Sequence, residues 1–340
     1  MVKTAKLSAG ENVTYWTYES GTYGNPTGAG QWPGLVQNVE PNDTENVISA
    51  RFHGNSSRNV AQFLPGARDN GGTMTFYPQD FRFLQFALGS GADATTGSPA
   101  YYTHTIGELE PTGNATATSG TNNPFPSFAL ETDQFSSGGT SLTRYYQGCN
   151  VDTYTLSASQ GEPLSVAIDF IAQSKTQYWS GAQLTASDPA IRPFMWSDTA
   201  LTLSGTSLIR AKSWEYALNN NMDRDGAHIC NGSRVIDVPQ PTERGHQLTM
   251  SFDGESTDAA RLYGEFVSGG NNVVNAKLTI NNIYDGGATS GASTVTFSGC
   301  AITEFAAPNA VEGINQWDLT LIPEIVTAVI QDQTEKYNAW

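Results

Sequence analysis

A segment of this chain occurs twice. Shifting the 340-residue sequence by 176 positions places Arg58 on Arg234, Pro65 on Pro241, Arg68 on Arg244, Met74 on Met250 and Phe76 on Phe252. These matches lie within two longer stretches, Gly34 to Gly91 and Ala211 to Gly270. Both run in the same order. A short strand ends in Glu (Val36 to Glu40; Ala211 to Glu215), and a long polar excursion carrying Ser-Arg, a Pro and an Arg follows. A second strand (Thr73 to Tyr77; Leu248 to Phe252) then leads into a helix (Gln79 to Gly89; Thr257 to Gly269). An internal repeat has to be read before anything else, because it fixes the architecture as two similar halves.

A chain of 340 residues has room for two cores. The repeat divides it into an N-terminal arm over 1–33, a first domain over 34–177, a linker over 178–197, a second domain over 198–323 and a C-terminal tail over 324–340. With 34 Gly, 16 Pro and few helical patterns, the fold class is mainly β: two tandem β-sandwich or barrel domains, each with one flanking α-helix and a long hairpin-like loop. Leu164, Val166, Ile168 and Phe170 alternate as on a strand with one buried face. In the first helix Phe81, Leu84, Phe86 and Leu88 make an apolar face before Gly89 stops it. Gly89 to Pro126, dominated by small polar residues, reads as surface loop. Residues 1–33 carry Tyr15, Trp16, Tyr18, Tyr23 and Trp32, which either dock on another body or cover the first domain's own core.

Charged residues are 15% of the chain and the net charge is −16, with six Lys against eleven Arg. That balance repels anionic partners and gives no basic footprint for nucleic acid. It also fits a high-salt host, such as that of a haloarchaeal virus, and predicts assembly that depends on salt. No apolar run approaches 18 residues and the amino terminus lacks an apolar core, so neither membrane insertion nor a Sec-type signal peptide is expected. Cys149 and Cys300 each follow a Gly and read as one buried strand position in the two halves.

No catalytic, cofactor or metal set emerges. Asn221 to Gly226 has the alternating oxygen ligands and the Gly of a calcium loop, but Gly232 stands where the bidentate Glu belongs, so a polar hairpin is the simpler reading. The four His are scattered, and there is no nucleophile elbow, phosphate loop or dinucleotide fingerprint.

Several blocks resemble a known family. They are Glu19-Ser20-Gly21-Thr22-Tyr23-Gly24, Gly34 to Glu40, Gly71 to Leu84, Pro126 to Glu131, Gly148-Cys149-Asn150-Val151 and Leu156 to Phe170. Together they are similar to the major tail tube proteins of long-tailed viruses of bacteria and archaea, of the type that fuses two tail-tube domains in one chain. The resemblance implies a non-enzymatic virion protein of the viral tail, whose inner strands join neighbours into a barrel around a channel. The long excursions, Asn42 to Asn70 and Asn219 to Glu243, would be stacking arms between rings. The arginines in them and directly after the second, Arg51, Arg58, Arg68, Arg224, Arg234 and Arg244, become candidate stacking contacts, with local loop ion pairs as the alternative. The implied partners are further copies of the chain, as a homotrimer ring of pseudo-sixfold shape or else a homohexamer. Tape-measure, tail terminator and distal tail proteins would join them, and viral double-stranded DNA would pass through without specific binding. The competing readings are an extracellular carbohydrate-binding or hydrolytic β-sandwich, which needs an exposed aromatic cleft, and another virion shell or adaptor protein.

Overall fold

A computed structural model describes residues 7–19, 23–26, 28–50, 62–96, 101–109, 125–136, 141–178, 184–187, 191–207, 211–228, 233–253, 264, 266, 273–281, 292–306 and 316–332. The first half holds β1 (Leu7–Tyr18), β2 (Leu35–Pro41), β3 (Thr44–Ala50), β4 (Gln62–Tyr77), helix α1 (Arg82–Leu88), β5 (Gly89–Thr96), β6 (Tyr101–Glu108), β7 (Phe128–Ser136), β8 (Ser141–Ser159) and β9 (Ser165–Tyr178). The second holds β10 (Thr199–Leu203), β11 (Thr206–Ser207), β12 (Ala211–Asn219), β13 (Met222–Asp223), β14 (Gln240–Pro241), β15 (Gly245–Asp253), β16 (Val273–Asn281), β17 (Ala292–Ala306), β18 (Gln316–Ile322) and β19 (Ile325–Asp332). The molecule is mainly β, and the strand pairs among the described residues are antiparallel.

Each half is a sandwich whose longest strands cross from one sheet to the other. In the first half one sheet runs β2–β4–β9–β8 and the other β1–β7–β8–β9. The second half repeats the order as β12–β15–β18–β17 and β10–β16–β17–β19. Matching bulges interrupt both sets: Val36/Asn38 and Ala211/Ser213, Val151/Thr153 and Ile302/Glu304, Phe128/Leu130 and Val274/Ala276. A bulge bends its strand, and here the bend lets β8 and β17 serve both sheets. Gly148 (φ 65°) and Gly299 (φ 62°) stand at the same bends. A Cβ on Gly148 would meet Gln173 Cβ at 2.7 Å, and one on Gly299 would meet Glu324 Cβ at 3.0 Å. The next residues, Cys149 and Cys300, are fully buried, as their common place after Gly leads one to expect.

One difference between the halves has a simple cause. β9 is continuous, whereas its counterpart is split into β18 and β19 around Pro323, which has no N–H to give to a ladder.

The core is built from alternate residues of these strands. Val166, Ile168 and Phe170 of β9 are buried while Ser165, Ala167 and Asp169 are not. Helix α1 lies entirely in the core and ends at Gly89 in the left-handed conformation, φ 97°. It begins at Arg82, three residues later than the sequence suggests. Asp80 instead holds the Arg82 guanidinium, with Nε to Oδ2 at 2.8 Å, and the same guanidinium donates to Gln31 Oε1 at 2.9 Å and Trp32 O at 3.2 Å.

Two segments differ from the sequence reading, and a third decides between the two alternatives it left open. The stretch beginning at Gly89 is not simply surface loop, because β5 and β6 form a hairpin whose second strand pairs with β19. The first part of the supposed C-terminal tail is that strand, with Val326, Ala328 and Ile330 buried. The N-terminal arm contributes β1, which pairs with β7 and buries Trp16 and Tyr18 in the first half's own core. Small, Thr-rich strands such as β5 carry weak periodicity, and their pairing is a tertiary matter. Of the expected second helix, only Gly264 and Phe266 are among the described residues.

Candidate assembly surfaces

The two halves meet strand to strand. β8 of the first half pairs with β12 of the second, from Ser159↔Ser213 to Thr153↔Asn219. Eight strands thus form one continuous sheet in the order β2–β4–β9–β8–β12–β15–β18–β17. Its two ends are left as edges among the described pairings: β2 is bonded only to β4, and the Glu304–Ala306 end of β17 only to β18. Open edges of this kind are templates for another chain.

The register lays the outward side chains of this sheet in rows. One runs Glu40, Thr73, Asp169, Thr153, Asn219, and the next runs Asn38, Thr75, Ala167, Thr155, Ala217, Gln247. A third runs Ser165, Ser157, Glu215, Thr249, Thr320, Glu304. None of these residues is buried, and no Lys or Arg stands among them. The opposite side chains, among them Met74, Phe76, Leu156, Tyr216, Met250 and Leu321, are core. The face is therefore hydroxyl-lined and acidic.

The polar excursions behave differently in the two halves. The first is a projecting hairpin of β3 and the start of β4, paired from Thr44↔Asp69 to Ala50↔Gln62. It exposes Val47, Ile48, Phe63 and Leu64. The second closes into the two-residue ladder of β13 and β14 and folds back onto the first half. Met222, Ala227 and Ile236 form a small core with Ile171 and Phe125, and His228 Nε2 lies 2.9 Å from Asp69 Oδ1.

The candidate arginines separate accordingly. Arg51 and Arg58 lie outside the described residues. Arg68 and Arg234 converge on Glu45: the Arg68 guanidinium is 3.7 Å from it, and that of Arg234 donates to the same carboxylate and, at 2.8 Å, to Gly66 O. The Arg68 amide also donates to Arg234 O at 2.9 Å. The hydrogen bond from Arg234 holds the Glu45 carboxyl below its usual range. Arg224 reaches the strand at Gly71, where its Nη2 would lie 3.2 Å from an added Cβ. Arg244, the counterpart of Arg68, is an interior pin. It donates to Asn220 Oδ1 at 3.2 Å, Glu108 Oε2 at 3.2 Å and Leu109 O at 3.3 Å.

Sequence reasoning missed Glu108, which ties three elements together. Besides Arg244 it accepts the Val326 amide at 2.6 Å and lies 3.2 Å from His246 Nε2. Burial raises its pKa, but His246 and the Val326 amide outweigh burial and the carboxyl titrates below its ordinary value. No local pattern marks this residue, because its partners come from β15 and β19, far along the chain.

Other candidates have plain structural roles. Asp223 accepts the Gly226 amide at 2.8 Å, closing the turn that resembled a calcium loop. Trp16, Tyr18, Trp214 and Tyr216, aromatics a sugar platform would need at the surface, are buried.

The described structure is thus a double sandwich with open sheet edges and a projecting arm that exposes Val47, Ile48, Phe63 and Leu64. The family model described as phage tail tube protein covers residues 4–316, and the chain belongs to that family. It is a structural protein of the tail tube, and its place is the tail of the virion. No curated protein matches the chain.

Proposed function

We propose that the chain is two fused tail-tube domains, and that three copies close into a pseudo-sixfold ring whose stacked repeats conduct the viral genome into the host. The observation that carries this reading is the β8–β12 joint. Inside one chain it joins the last strand of one four-strand sheet to the first strand of the next. The same two kinds of edge, β17 and β2, stand open at the ends of the eight-strand sheet. Repeating the joint between copies removes both edges and closes a barrel.

Strand count favours three copies. Two would close about 16 strands, the size of a porin. Three give about 24 strands, and at about 4.8 Å per strand the backbone bore is about 37 Å before tilt widens it. Side chains take about 5 Å from each wall, half a sheet-to-sheet spacing, which leaves passage for a duplex. The acidic rows would line that bore, and carboxylates with no cation among them repel phosphates, so DNA slides without specific binding.

In this reading the projecting arm links rings, and tape-measure, terminator and distal tail proteins engage the ends of the tube. Negative-stain microscopy with native mass measurement tests it: stacked rings of three chains are expected, and a persistent monomer at high concentration would refute it. For the projecting arm, Arg58→Glu should leave the chain folded and give short tubes, whereas Arg234, already bonded to Glu45 and Gly66 O inside the chain, is not expected to bridge rings. Tubes of normal length would remove Arg58 from stacking.

A further inference from the structure

The joint inside the chain also serves as a template for a contact between chains. Met222, in the second excursion, stands opposite Pro241 and is packed into the small core around Ile171. Its counterpart in the first excursion is Val47, which stands opposite Pro65, and the two prolines are one repeat apart. Ile171 likewise has a counterpart. It follows Asp169, which pairs with Thr153 after the bulge in β8. Ile322 follows Thr320 at the same spacing, and Thr320 pairs with Glu304 after the matching bulge in β17.

The two pairs differ in environment. Ile171 and Met222 are 3% and 8% exposed, whereas Ile322 and Val47 are 47% and 53% exposed. Each exposed residue occupies the position whose twin is buried, and the two twins belong to one small core. Single exposed apolar residues are ordinary. Two whose counterparts, one from each half, share a core already formed in the same chain are not explained that way.

We propose that Val47 of one copy seats on Ile322 of the neighbouring copy in the ring, reproducing between chains the small core that holds Met222 and Ile171 together. The occupant of the Ile322 ledge is thus a second copy of this chain, and its first-half excursion does two jobs. Its root clamps the ring neighbour while the tip, with Phe63, remains free for the next ring. The inference rests on the ring reading above and deepens it by naming the side chains that meet.

Disulfide trapping tests it. Val47→Cys and Ile322→Cys are made separately in a background with Cys230→Ser, and the two variants are co-assembled and oxidised. A cross-linked dimer is expected from the mixture and from neither variant alone. Combining both changes in one chain should give a closed three-chain product. The control is Ile171→Cys with Met222→Cys in one chain, which should form an internal bridge and shows that the template contact and the fold are intact. Rings seen by microscopy without the Val47–Ile322 cross-link, while the control bridges, would overturn this inference and leave the ring reading standing. Absence of rings at any concentration would overturn both. Independently, Ile322→Asp should leave the monomer's melting unchanged and raise the concentration needed for rings by about tenfold, the scale of losing one apolar contact. Unchanged assembly of that variant would also count against the contact.

Discussion

Arg68 and Arg244 occupy the same place in the repeat and should differ sharply in what they contribute to stability. Arg244 and Glu108 keep only 16% and 10% of their side-chain surface, whereas Arg68 and Glu45 keep 48% and 43%. Removing one partner of a buried pair costs about 3–5 kcal/mol, because the other charge is left desolvated. Glu108 would still have the Val326 amide and the nearby His246, so Arg244→Ala should fall at the lower end, about 3 kcal/mol. An exposed pair is worth about 0–1 kcal/mol, so Arg68→Ala should cost no more than that. The gap of about 2 kcal/mol is roughly thirtyfold in the unfolding constant. Urea unfolding followed by tryptophan fluorescence, on protein held below its assembly concentration, measures both. A cycle with Glu108→Gln should recover most of the Arg244 cost as coupling. Equal losses for the two arginines, or no coupling to Glu108, would refute the claim that this ion pair fastens the halves together.

Three more outcomes follow from the same geometry. Glu108 titrates below its ordinary value in the folded chain, so its contribution is complete at neutral pH and is lost as acid carries the pH down through its folded pKa. Glu108→Gln should therefore flatten the acid limb of a melting-temperature profile, and an unaltered limb would contradict this. Asp133 has the opposite sign. Burial raises its pKa, so Asp133→Asn should stabilise the chain at neutral pH, with the gain shrinking toward acid, and a less stable variant at neutral pH would sink the argument. Gly148→Ala and Gly299→Ala should each cost more than about 1 kcal/mol, since positive φ and a close neighbour act together. Gly161→Ala, also at positive φ (82°) but with nothing within 4 Å, should cost less, and equal losses measured by urea unfolding would exclude the steric part.

Much of the fold was readable from residues alone. Alternation in β9 announced its buried face, Gly89 announced the end of α1, and the Gly-Cys pairs marked one buried strand position in each half. The sequence also determined the repeat, the acidic Lys-poor balance and the likeness to tail tube proteins. Each of these is written in side chains at fixed spacing, through periodicity, turn chemistry or simple count.

What the tertiary structure alone decided is which groups meet. The β8–β12 joint, the seat of β19 between β17 and β6, and the Arg244–Glu108 pin all link residues far apart in the chain. Ladder hydrogen bonds are made by backbone groups that every residue except proline carries, so the sequence of a strand does not name its partner. For the same reason matched arginines could become, in one half, an exposed arm contact and, in the other, a buried pin. The excursions carry similar residues, but among the described residues only the second buries an apolar core against the other half of its own chain.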